Sequence, residues 1–400
     1  MKVLIISPVF FPSLGGMEQH VMNLSKQLKT KKHSVDILTS KIGNSSDYEK
    51  INSVDVFRIN AGINSQQELS FKGKKLVIPF FFKAAELFLK KKYDLIHVHD
   101  PFSLMAVIPL KLFRVPIVLT VHGNWINCIK GRRYFNEKIC FDYELNKCTK
   151  CMKSDKTTVK LKQNILRWIT EQCNAIIAVS SDVKNSIKLN KKQEIYVIPN
   201  VASDAPEADK KALNEFPFNS PKKKILFIGS MIKEKGAEIL LKTAESVNAL
   251  FFFVYSYSDK NYFSEFDKLI KKKNLKNVIL FHKIPNQKVR NTFIPFSDII
   301  VIPSLWPEPC SSIVTEAMSS KKAVIASDLG GFTDLIKDKE NGLLFDAGNY
   351  LELKAKINEL LTDKKLMKKI SENGFVKTKN ELNWNKISDR TIDVYREVLF

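Results

Sequence analysis

The sequence predicts an α/β protein with two doubly wound parallel sheets. Short apolar runs, many of them β-branched, alternate with longer amphipathic segments, which is typical of parallel strands joined by helices. A polar, proline-containing stretch at 203–222 interrupts this alternation, which then starts again. A length of 400 residues and a hydrophobic content of 44% are sufficient for two globular domains.

The first strand is followed by a helix, and the second strand series begins after the polar stretch. Between Met17 and Lys32 the apolar residues recur at helical spacing. We predict an N-terminal domain over 1–205, a linker over 206–221, a C-terminal domain over 222–375 and a final segment, 376–400, whose amphipathic helix packs back on the N-terminal domain. The predicted strands lie in "KVLIIS", "SVDILTS", "DLIHVHD", "PIVLTVHG" and "AIIAVS", then in "KILFIGS", "LFFFVYS", "VILFHK", "DIIVIPS" and "KAVIASD".

The chain is strongly basic, and its charge is uneven. The net charge is +22: residues 1–200 hold 32 basic and 16 acidic residues (+16), and residues 201–400 hold 32 and 26 (+6). Such a field favours an anionic partner, a membrane surface, a nucleic acid or a phosphorylated ligand, although a lysine-rich surface also serves solubility alone. With no signal peptide and no run of about 18 uninterrupted apolar residues, we expect a cytoplasmic protein with reduced thiols.

The loop after the first strand contains two adjacent glycines, Gly15 and Gly16, before a helix. Glycines let backbone N–H groups approach a ligand, and a helix N-terminus favours an anion, so this loop suits a phosphate. The pattern is not G-x-G-x-x-G, which disfavours a dinucleotide redox cofactor. An ordinary turn is the alternative interpretation.

A similar loop follows the first strand of the second series. In "ILFIGSMIKEKGAEILL" the strand leads to Gly229, then to Lys233, Lys235 and Gly236, and then to a helix. A lysine beyond the carboxyl end of a strand, beside a glycine turn, suits a diphosphate. The order of a Walker A motif is absent, so hydrolysis of the P-loop type is not predicted.

The stretch "WPEPCSSIVTEAMSSKKAVIASDLGG" contains two glutamates, Glu308 and Glu316, separated by seven residues. The prolines keep the residues before them out of a helix, and Ser311 or Ser312 is a suitable N-cap for the helix that follows. The amides near Cys310 can hold an anion, whereas carboxylates bind hydroxyl pairs. A nucleotide-sugar offers a diphosphate between two sets of hydroxyls. The alternative is that Glu308 caps the helix and Glu316 lies at the surface.

Together these segments resemble the retaining GT-B glycosyltransferases of glycosyltransferase family 4, which includes phosphatidylinositol mannosyltransferases and sucrose synthase. The resemblance covers nearly the whole chain, and the two glutamates are its most specific element. It implies two Rossmann-like doubly wound parallel-sheet domains that face a central cleft, with the acceptor on the N-terminal side and the nucleotide-sugar on the C-terminal side. The shared elements are "GGMEQHV", "DLIHVHD", "TVHG", "YVIPNV", "GSMIKEKG", "EPCSSIVTE" and "KKAVIASDLGG".

The resemblance also implies an activity: a hexosyltransferase that moves a sugar from a UDP- or GDP-sugar to a lipid-linked or polysaccharide acceptor, with retention and without a catalytic metal. Such enzymes make cell-envelope polysaccharides or glycolipids, which implies peripheral association with the inner face of the cell membrane. Glu308 would face the donor sugar, Glu316 the ribose and Lys235 the diphosphate, with His122 beside the sugar as a second catalytic residue. The other implied donor-binding residues are Gly15, Gly16, Gly229, Ser230, Cys310, Ser311 and Ser312.

The sequence departs from the pattern of this family at three places. Ser230 stands where the family often has arginine, and Lys233 is a candidate to replace that cation. Cys310 and Ser311 stand where Phe-Gly is common, and 332–334 reads Phe-Thr-Asp instead of Ile-Pro-Glu. These departures concern the strength of diphosphate binding and the identity of the donor rather than the fold.

Four of the six cysteines are clustered in a polar insertion at about 126–160. Two of them form a C-x-x-C pair, and four thiolates can hold zinc tetrahedrally and stabilise a segment with little core. In a cytosolic protein we favour structural zinc over disulfides. The predicted ligands are Cys128, Cys140, Cys148 and Cys151.

The remaining polar candidates have two interpretations each. His97 and His99 lie on one strand face and could bind a metal, but hydrogen-bonded histidines are the favoured interpretation. The lysines and phenylalanines of Phe71–Tyr93 suit an anionic membrane surface, although Phe80, Ala84, Leu87 and Phe88 are also spaced to be buried on a sheet.

Two other functions remain as alternatives at this point: a basic nucleic-acid-binding protein with a zinc knuckle, and a sugar-nucleotide epimerase or binder. Dispersed lysines and the absence of a recognised nucleic-acid-binding motif disfavour the first, so no specific nucleic acid is expected.

Overall fold

The computed structural model describes residues 1–12, 15–62, 73–140, 143–202, 207–211 and 215–400. The described residues form two compact units. The first comprises 1–132, 141–200 and 384–400, and the second comprises 133–140 and 201–383. The predicted boundary at 205 therefore differs from the observed one at 200, and the predicted linker 206–221 is grouped with the second unit; residues 203–206 and 212–214 lie outside the described residues.

The strands confirm the predicted α/β class. Each of the ten predicted runs forms a strand, because each is a short apolar run whose residues can be buried on both faces of a parallel sheet. The strands are β1 (Lys2–Ile6), β2 (Ser34–Ser40), β3 (Tyr48–Ile51), β4 (Val54–Ile59), β5 (Leu95–Val98), β6 (Ile117–Val121), β7 (Tyr134–Phe135), β8 (Lys138–Ile139), β9 (Ala175–Ala178), β10 (Ile195–Val197), β11 (Lys224–Ile228), β12 (Leu250–Tyr255), β13 (Val278–His282), β14 (Ile299–Ile302), β15 (Ala323–Ser327) and β16 (Leu343–Phe345).

The first unit contains an eight-stranded sheet in the order β10-β9-β6-β5-β1-β2-β4-β3. Its pairs are parallel except β3–β4, an antiparallel edge pair that the sequence analysis did not predict. The final helix, Trp384–Leu399, belongs to this unit and buries Ile387, Ile392 and Tyr395. Residues 376–383 belong instead to the second unit, because the preceding helix Lys364–Asn380 is continuous.

The second unit contains a parallel six-stranded sheet in the order β13-β12-β11-β14-β15-β16. Successive side chains of a strand point to opposite faces, and in β12 both faces are filled by phenylalanine. Phe251 and Phe253 are fully buried in one core, and the ring of Phe252 packs against Phe218 on the other side. A separate hairpin, β7–β8, is grouped with this unit.

The helices follow the amphipathic segments of the sequence. None of those in the described part of the chain combines the length and the apolar character that crossing a bilayer requires. The α-helices are Gly16–Thr30, Val77–Lys91, Pro101–Val107, Leu145–Met152, Lys156–Thr170, Ser181–Ser186, Ala237–Thr243, Lys260–Lys272, Asn286–Lys288, Ile294–Phe296, Ser312–Ser319, Phe332–Leu335, Tyr350–Thr362, Lys364–Asn380 and Trp384–Leu399.

The helix Val77–Lys91 lies within the segment that was predicted to contact either the sheet or a membrane. Phe80, Ala84 and Leu87 are buried, as predicted. Phe88 is not: it is half-buried and its ring lies 5.7 Å from that of Phe113, because its position falls at the edge of the apolar stripe. Phe71, also part of that segment, lies outside the described residues.

Candidate active site

Both sheets reverse their strand order at one position, and ligands of open parallel sheets bind beyond the carboxyl ends of the strands at such a position. In the second unit the reversal lies between β11 and β14, with β15 as the next neighbour. The loops after β11 and β14, together with the helix Ser312–Ser319, contain the predicted donor-binding residues of this unit. In the first unit the reversal lies at β1 and β5, with β6 beside β5.

The loop after β11 packs directly against the loop after β14. Gly236 has a φ of +67°, and a Cβ atom at this position would lie 1.8 Å from the carbonyl oxygen of Pro303. The N–H of Leu305 donates to the carbonyl of Glu234 at 2.8 Å. Glycine is therefore required at this contact, and it fixes the 3₁₀ turn Lys233–Lys235 against the neighbouring loop.

This contact brings Lys235 to Glu308. The Nζ atom of Lys235 lies 2.8 Å from Oε1 of Glu308, and the hydroxyl of Ser304 donates to the same oxygen. The Lys235 ammonium also lies 5.7 Å from the ring centroid of Trp306. Glu308 is only 7% exposed, and a buried carboxylate needs such partners to compensate its desolvation.

Two glycines support Glu308 from behind. A Cβ atom at Gly330, whose φ is +61°, would lie 2.7 Å from the carbonyl oxygen of Glu308. A Cβ atom at Gly331 would lie 2.2 Å from the carbonyl oxygen of Pro309, and the N–H of Gly331 donates to the Glu308 carbonyl at 2.8 Å. The glycine pair at the end of the stretch therefore positions the backbone that carries the catalytic candidate.

The helix Ser312–Ser319 begins directly after this loop, with Ser311 as its N-cap. The side chain of Ser311 makes no capping hydrogen bond, and Glu308 is not the cap. Cys310 and Ser312 are half-buried beside the first turn, whose amides lack partners within the helix. The loop before this helix is therefore suited to an anion.

Glu316 lies in the second turn of this helix and is buried, so it is not a surface residue. Burial raises the pKa of its carboxyl to about 7, and the guanidinium of Arg290 opposes that shift. The Nε atom of Arg290 lies 3.7 Å from Oε1 of Glu316. Arg290 was not predicted as a site residue, because it lies on the segment Val289–Phe293, which no sequence motif marks.

The other predicted residues of this region are near the same loops. Gly229 and Ser230 directly follow β11 and are half-buried, and a Cβ atom at Gly229 would lie 3.1 Å from the ring of Phe227. Lys233, the candidate replacement for the missing arginine, pairs with Glu137 of the β7–β8 hairpin at 2.5 Å. Lys233 is therefore paired with a carboxylate of the hairpin, whereas Lys235 is paired with Glu308.

In the first unit, Gly15 is the N-cap of the helix Gly16–Thr30 and has an extended backbone. A Cβ atom at Gly16 would meet only the side-chain nitrogen of Asn200, at 3.8 Å. This contact is an ordinary van der Waals separation, so packing within the unit does not require glycine at position 16. A ligand that approaches the backbone would provide another reason for glycine there.

His122 follows β6 and is half-buried. Its Nε2 atom lies 3.0 Å from Nδ1 of His99, which follows β5. His97 is held by the Tyr395 hydroxyl at 2.6 Å and the Thr120 hydroxyl at 2.7 Å. These contacts agree with the predicted hydrogen-bonded interpretation of His97.

His20, the histidine of the segment "GGMEQHV", also lies beside His122, and no role was predicted for it. Its ring centroid lies 4.9 Å from that of His122, and Nδ1 hydrogen-bonds with Oδ1 of Asn200 at 3.2 Å. Burial lowers the pKa of His20 to about 4 and the pKa of His97 to about 3. Burial also holds the pKa values of His99 and His122 well below the usual value, so this cluster is uncharged at neutral pH.

The clustered cysteines are distributed over two segments. Cys148 and Cys151 lie on the helix Leu145–Met152 of the first unit, and Nε2 of Gln163 donates to the Cys148 sulfur at 3.7 Å. Cys128 is also in the first unit, whereas Cys140 is grouped with the second. Zinc binding by the four cysteines stays a prediction of the sequence.

Comparison with known proteins identifies the family of this chain. A family model described as "Glycosyltransferase Family 4" matches residues 14–203, and one described as "Glycosyl transferases group 1" matches residues 209–377. The two matches follow the two units of the structure and together cover most of the chain. They favour a glycosyltransferase over the nucleic-acid-binding and epimerase alternatives.

Similar proteins match over the full length of the chain. An uncharacterized glycosyltransferase of Methanocaldococcus jannaschii, MJ1178, is 27% identical over 406 residues, covering 100% of this chain and 99% of that protein. The structure of sucrose-phosphate synthase from Thermosynechococcus elongatus superposes with a TM-score of 0.79 at 21% identity, covering 99% and 98% of the two chains. Anabaena Alr3699/HepE in complex with UDP superposes with a TM-score of 0.76 at 16% identity, covering 99% and 100%. These likenesses confirm the predicted GT-B fold.

Proposed function

The chain belongs to the group 1 glycosyl transferases of glycosyltransferase family 4, and we propose that it moves a hexose from a UDP- or GDP-sugar to a lipid-linked or polysaccharide acceptor with retention. The observation that carries this proposal is the Lys235–Glu308 pair, with its Nζ–Oε1 distance of 2.8 Å. The binding of UDP by Anabaena HepE, which has the same fold, supports a nucleotide-diphosphate donor.

In the proposed complex, Lys235 binds the diphosphate and Glu308 accepts hydrogen bonds from the hydroxyls of the sugar. The two groups lie in direct contact, so a ligand with adjacent phosphate and sugar can satisfy both at once. The Lys235 ammonium neutralises charge that develops on the leaving diphosphate, and it does so from a fixed position. This arrangement supports donor binding without a catalytic metal.

Glu316 is proposed to bind the ribose diol. A carboxylate accepts hydrogen bonds from both hydroxyls of a diol, and the buried position of Glu316 strengthens those bonds. Arg290, 3.7 Å away, helps keep the carboxyl ionised when the ligand binds. The amides near Ser311 and Ser312 supply further donors to the diphosphate. In the first unit, the Gly15–Gly16 backbone and His122 are proposed to contact the phosphate or the sugar.

The acceptor is proposed to lie at an anionic membrane surface. Three helical segments of the first unit, each packed against the helix Pro101–Val107, expose large apolar side chains among lysines. Phe82 is 67% exposed, Leu112 is 87% exposed and Trp168 is 55% exposed. Aromatic and aliphatic side chains beside lysines suit the boundary between lipid headgroups and acyl chains. This surface supports a lipid-linked acceptor and a peripheral location in the cell.

The proposed donor chemistry can be tested with a panel of UDP-, GDP- and ADP-sugars. We expect one nucleotide class to raise the melting temperature, because a ligand that binds only the folded state stabilises it. Turnover of that donor with isolated membrane lipids or cell-wall polysaccharide as acceptor, followed by NMR of the product, gives the anomeric configuration. A product of inverted configuration would contradict retention, and no stabilisation by any nucleotide-sugar would contradict the proposed donor site.

We also propose that the four clustered cysteines hold one structural zinc ion, on the basis of their spacing in the sequence. Elemental analysis of untagged protein purified without chelator should find zinc bound through thiolates. Four freely reactive thiols in protein without sulfur-bound zinc would rule out this site.

A further inference from the structure

Three histidine rings converge in the first unit, beyond the carboxyl ends of β5 and β6. The ring centroids of His20, His99 and His122 lie 4.9, 5.3 and 5.5 Å apart. One ligand nitrogen from each ring can be chosen so that all three lie within 4.8 Å of one another. Among the described residues, these three histidines form the one group of at least three His, Cys, Asp or Glu side chains whose ligand atoms lie this close together.

We propose that His20, His99 and His122 bind one divalent transition-metal ion, of which zinc is the first candidate. Zinc–nitrogen bonds of about 2.0–2.1 Å at tetrahedral angles separate the ligand nitrogens by about 3.3 Å and the ring centroids by about 5 Å. The observed centroid separations of 4.9–5.5 Å agree with this arrangement. The distance of 3.0 Å between Nδ1 of His99 and Nε2 of His122 is also close to that of two ligands on one ion.

Hydrogen bonding prepares His20 as a ligand. Its Nδ1 atom faces Oδ1 of Asn200, an acceptor, so Nδ1 carries the proton and Nε2 keeps its lone pair. The orientation of this amide is fixed because Nδ2 of Asn200 donates to the carbonyl of Gly16 at 3.4 Å. A histidine that binds metal through one nitrogen ordinarily donates from the other to such an oxygen.

His99 is buried, with 1% of its surface exposed, and its two ring nitrogens differ. Nδ1 faces His122, and Nε2 has no hydrogen-bond partner among the described residues. Most buried polar atoms in folded proteins have at least one hydrogen-bond partner. Nδ1 of His99 and Nε2 of His122 share one proton. When a metal ion binds both of these nitrogens, that proton moves to the other nitrogen of its own ring, so both rings remain neutral.

The ligand set selects the kind of metal. Three neutral imidazoles suit zinc, cobalt, nickel or copper, whereas magnesium and calcium require oxygen ligands. His122 is half-buried, so the fourth coordination position can hold a water molecule. The site shares His122 with the proposed donor contacts of the first unit, whereas the charged groups of the proposed donor site lie in the second unit.

Cobalt(II) is a probe that separates this site from the predicted cysteine site. We would titrate the untagged, metal-free full chain carrying Cys148→Ser and Cys151→Ser, and record visible absorption. The expected result is one equivalent with the intense bands of four-coordinate cobalt and no thiolate charge-transfer band. His20→Gln and His99→Gln in the same background should weaken binding at least tenfold, because each removes one of three ligands. His282→Gln, on a strand of the second unit, is the matched control and should bind as the parent.

Equal cobalt binding by the parent and the His99→Gln variant, or only the weak spectrum of six-coordinate aqueous cobalt, would overturn the proposal. X-ray absorption at the zinc edge of the wild-type chain, loaded with two equivalents of zinc, requires no substitution. We expect a mixed nitrogen and sulfur shell, or a nitrogen shell alone if the cysteines do not bind. A shell of sulfur or oxygen without imidazole scattering would overturn the histidine site even if the variants fail to fold.

Discussion

The two sheets reverse their strand order in the same manner, but the side chains beyond their carboxyl ends differ in charge. In the second unit the residues are an ammonium, a guanidinium and two carboxylates, and Lys235 and Glu308 are in direct contact. In the first unit His20, His99 and His122 are uncharged, and burial keeps them so. Fixed charges bind a diphosphate, whereas neutral rings provide lone pairs and small dipoles.

Glycine also differs between the two regions. In the second unit Gly236, Gly330 and Gly331 are required by contacts with backbone atoms that are already present. In the first unit Gly16 has only an ordinary contact at 3.8 Å. The same residue type therefore builds the site in one unit and leaves room beside the backbone in the other. Each of the following predictions tests one side of this comparison.

The largest effect is expected at the charged pair. Lys235→Ala and Glu308→Ala should each reduce kcat/KM with the donor, because each removes a charged group that contacts the diphosphate or the sugar in the proposed complex. The expected loss is ~2–5 kcal/mol, or about thirtyfold to several thousandfold in rate. Lys233→Ala is the matched control: it removes an adjacent lysine that pairs with exposed Glu137, and it should retain most activity. Near-normal turnover of Lys235→Ala would disprove its assigned role.

The glycine comparison predicts a difference in stability. Gly331→Ala places a methyl group 2.2 Å from the Pro309 carbonyl, and overpacking of this kind costs about 1–3 kcal/mol. Gly16→Ala should change stability by about 0.5 kcal/mol or less. Thermal unfolding of both variants without ligand provides the measurement. If Gly16→Ala lowers the melting temperature as much as Gly331→Ala, position 16 is a packing position and not a space for a ligand.

The sequence predicted the fold well because the fold depends on local pattern. Runs such as "KILFIGS" carry enough apolar residues to be recognised as buried strands wherever they pack. The antiparallel pair β3–β4 was missed because it lies at the sheet edge: β3 is mostly polar and its residues are exposed or half-buried, and alternate residues of β4 are only half-buried. Phe88 was predicted to be buried because helical spacing places it near the apolar face of its helix. How much of that face is buried depends on the neighbouring helices, which the local sequence does not specify.

The geometry of the candidate site was predicted only in part because its contacts join distant residues. Lys235 and Glu308 were each predicted to bind the donor, but a contact between residues 73 positions apart has no local signal. Ser304 and Arg290 were missed for the same reason. The pair Gly330–Gly331 did carry a signal, since adjacent glycines after a strand indicate close backbone approach. His20 also stood within a recognised segment, four residues after Gly16.

A smaller effect is expected from the titration of Glu316. Burial raises the pKa of its carboxyl to about 7, and in the proposed complex the ribose diol binds the ionised form. The bound nucleotide therefore lowers this pKa, so donor affinity is complete above pH 7 and weakens as the pH falls through 7. Between pH 8 and pH 6 the Kd should rise about tenfold.

Calorimetry with a nucleotide-sugar, whose phosphates do not titrate in this range, would measure this dependence. Glu316→Gln should bind more weakly at pH 8, and its Kd should be nearly constant with pH. A pH profile that is the same for wild type and Glu316→Gln would assign the dependence to another group.

The smallest effect concerns the outer surface of the first unit. Lys75 is exposed at the start of the helical segment that also presents Phe82. A lysine near an anionic leaflet contributes ~1 kcal/mol, so Lys75→Gln should weaken binding to vesicles containing phosphatidylserine about fivefold at low salt. Lys272→Gln removes the same charge from an exposed helix of the second unit and should have little effect.

Co-sedimentation with neutral and anionic vesicles at low and high salt would separate the charge contribution from the apolar one. Trp168→Ser should weaken binding even at high salt, because salt screens lysine–lipid attraction but not the burial of an aromatic ring. Equal losses from Lys75→Gln and Lys272→Gln would mean that net charge, and not this surface, drives association. Negligible binding to both vesicle types at low salt would exclude the membrane surface and favour a soluble saccharide acceptor, since the proposed donor site of the second unit would be unaffected.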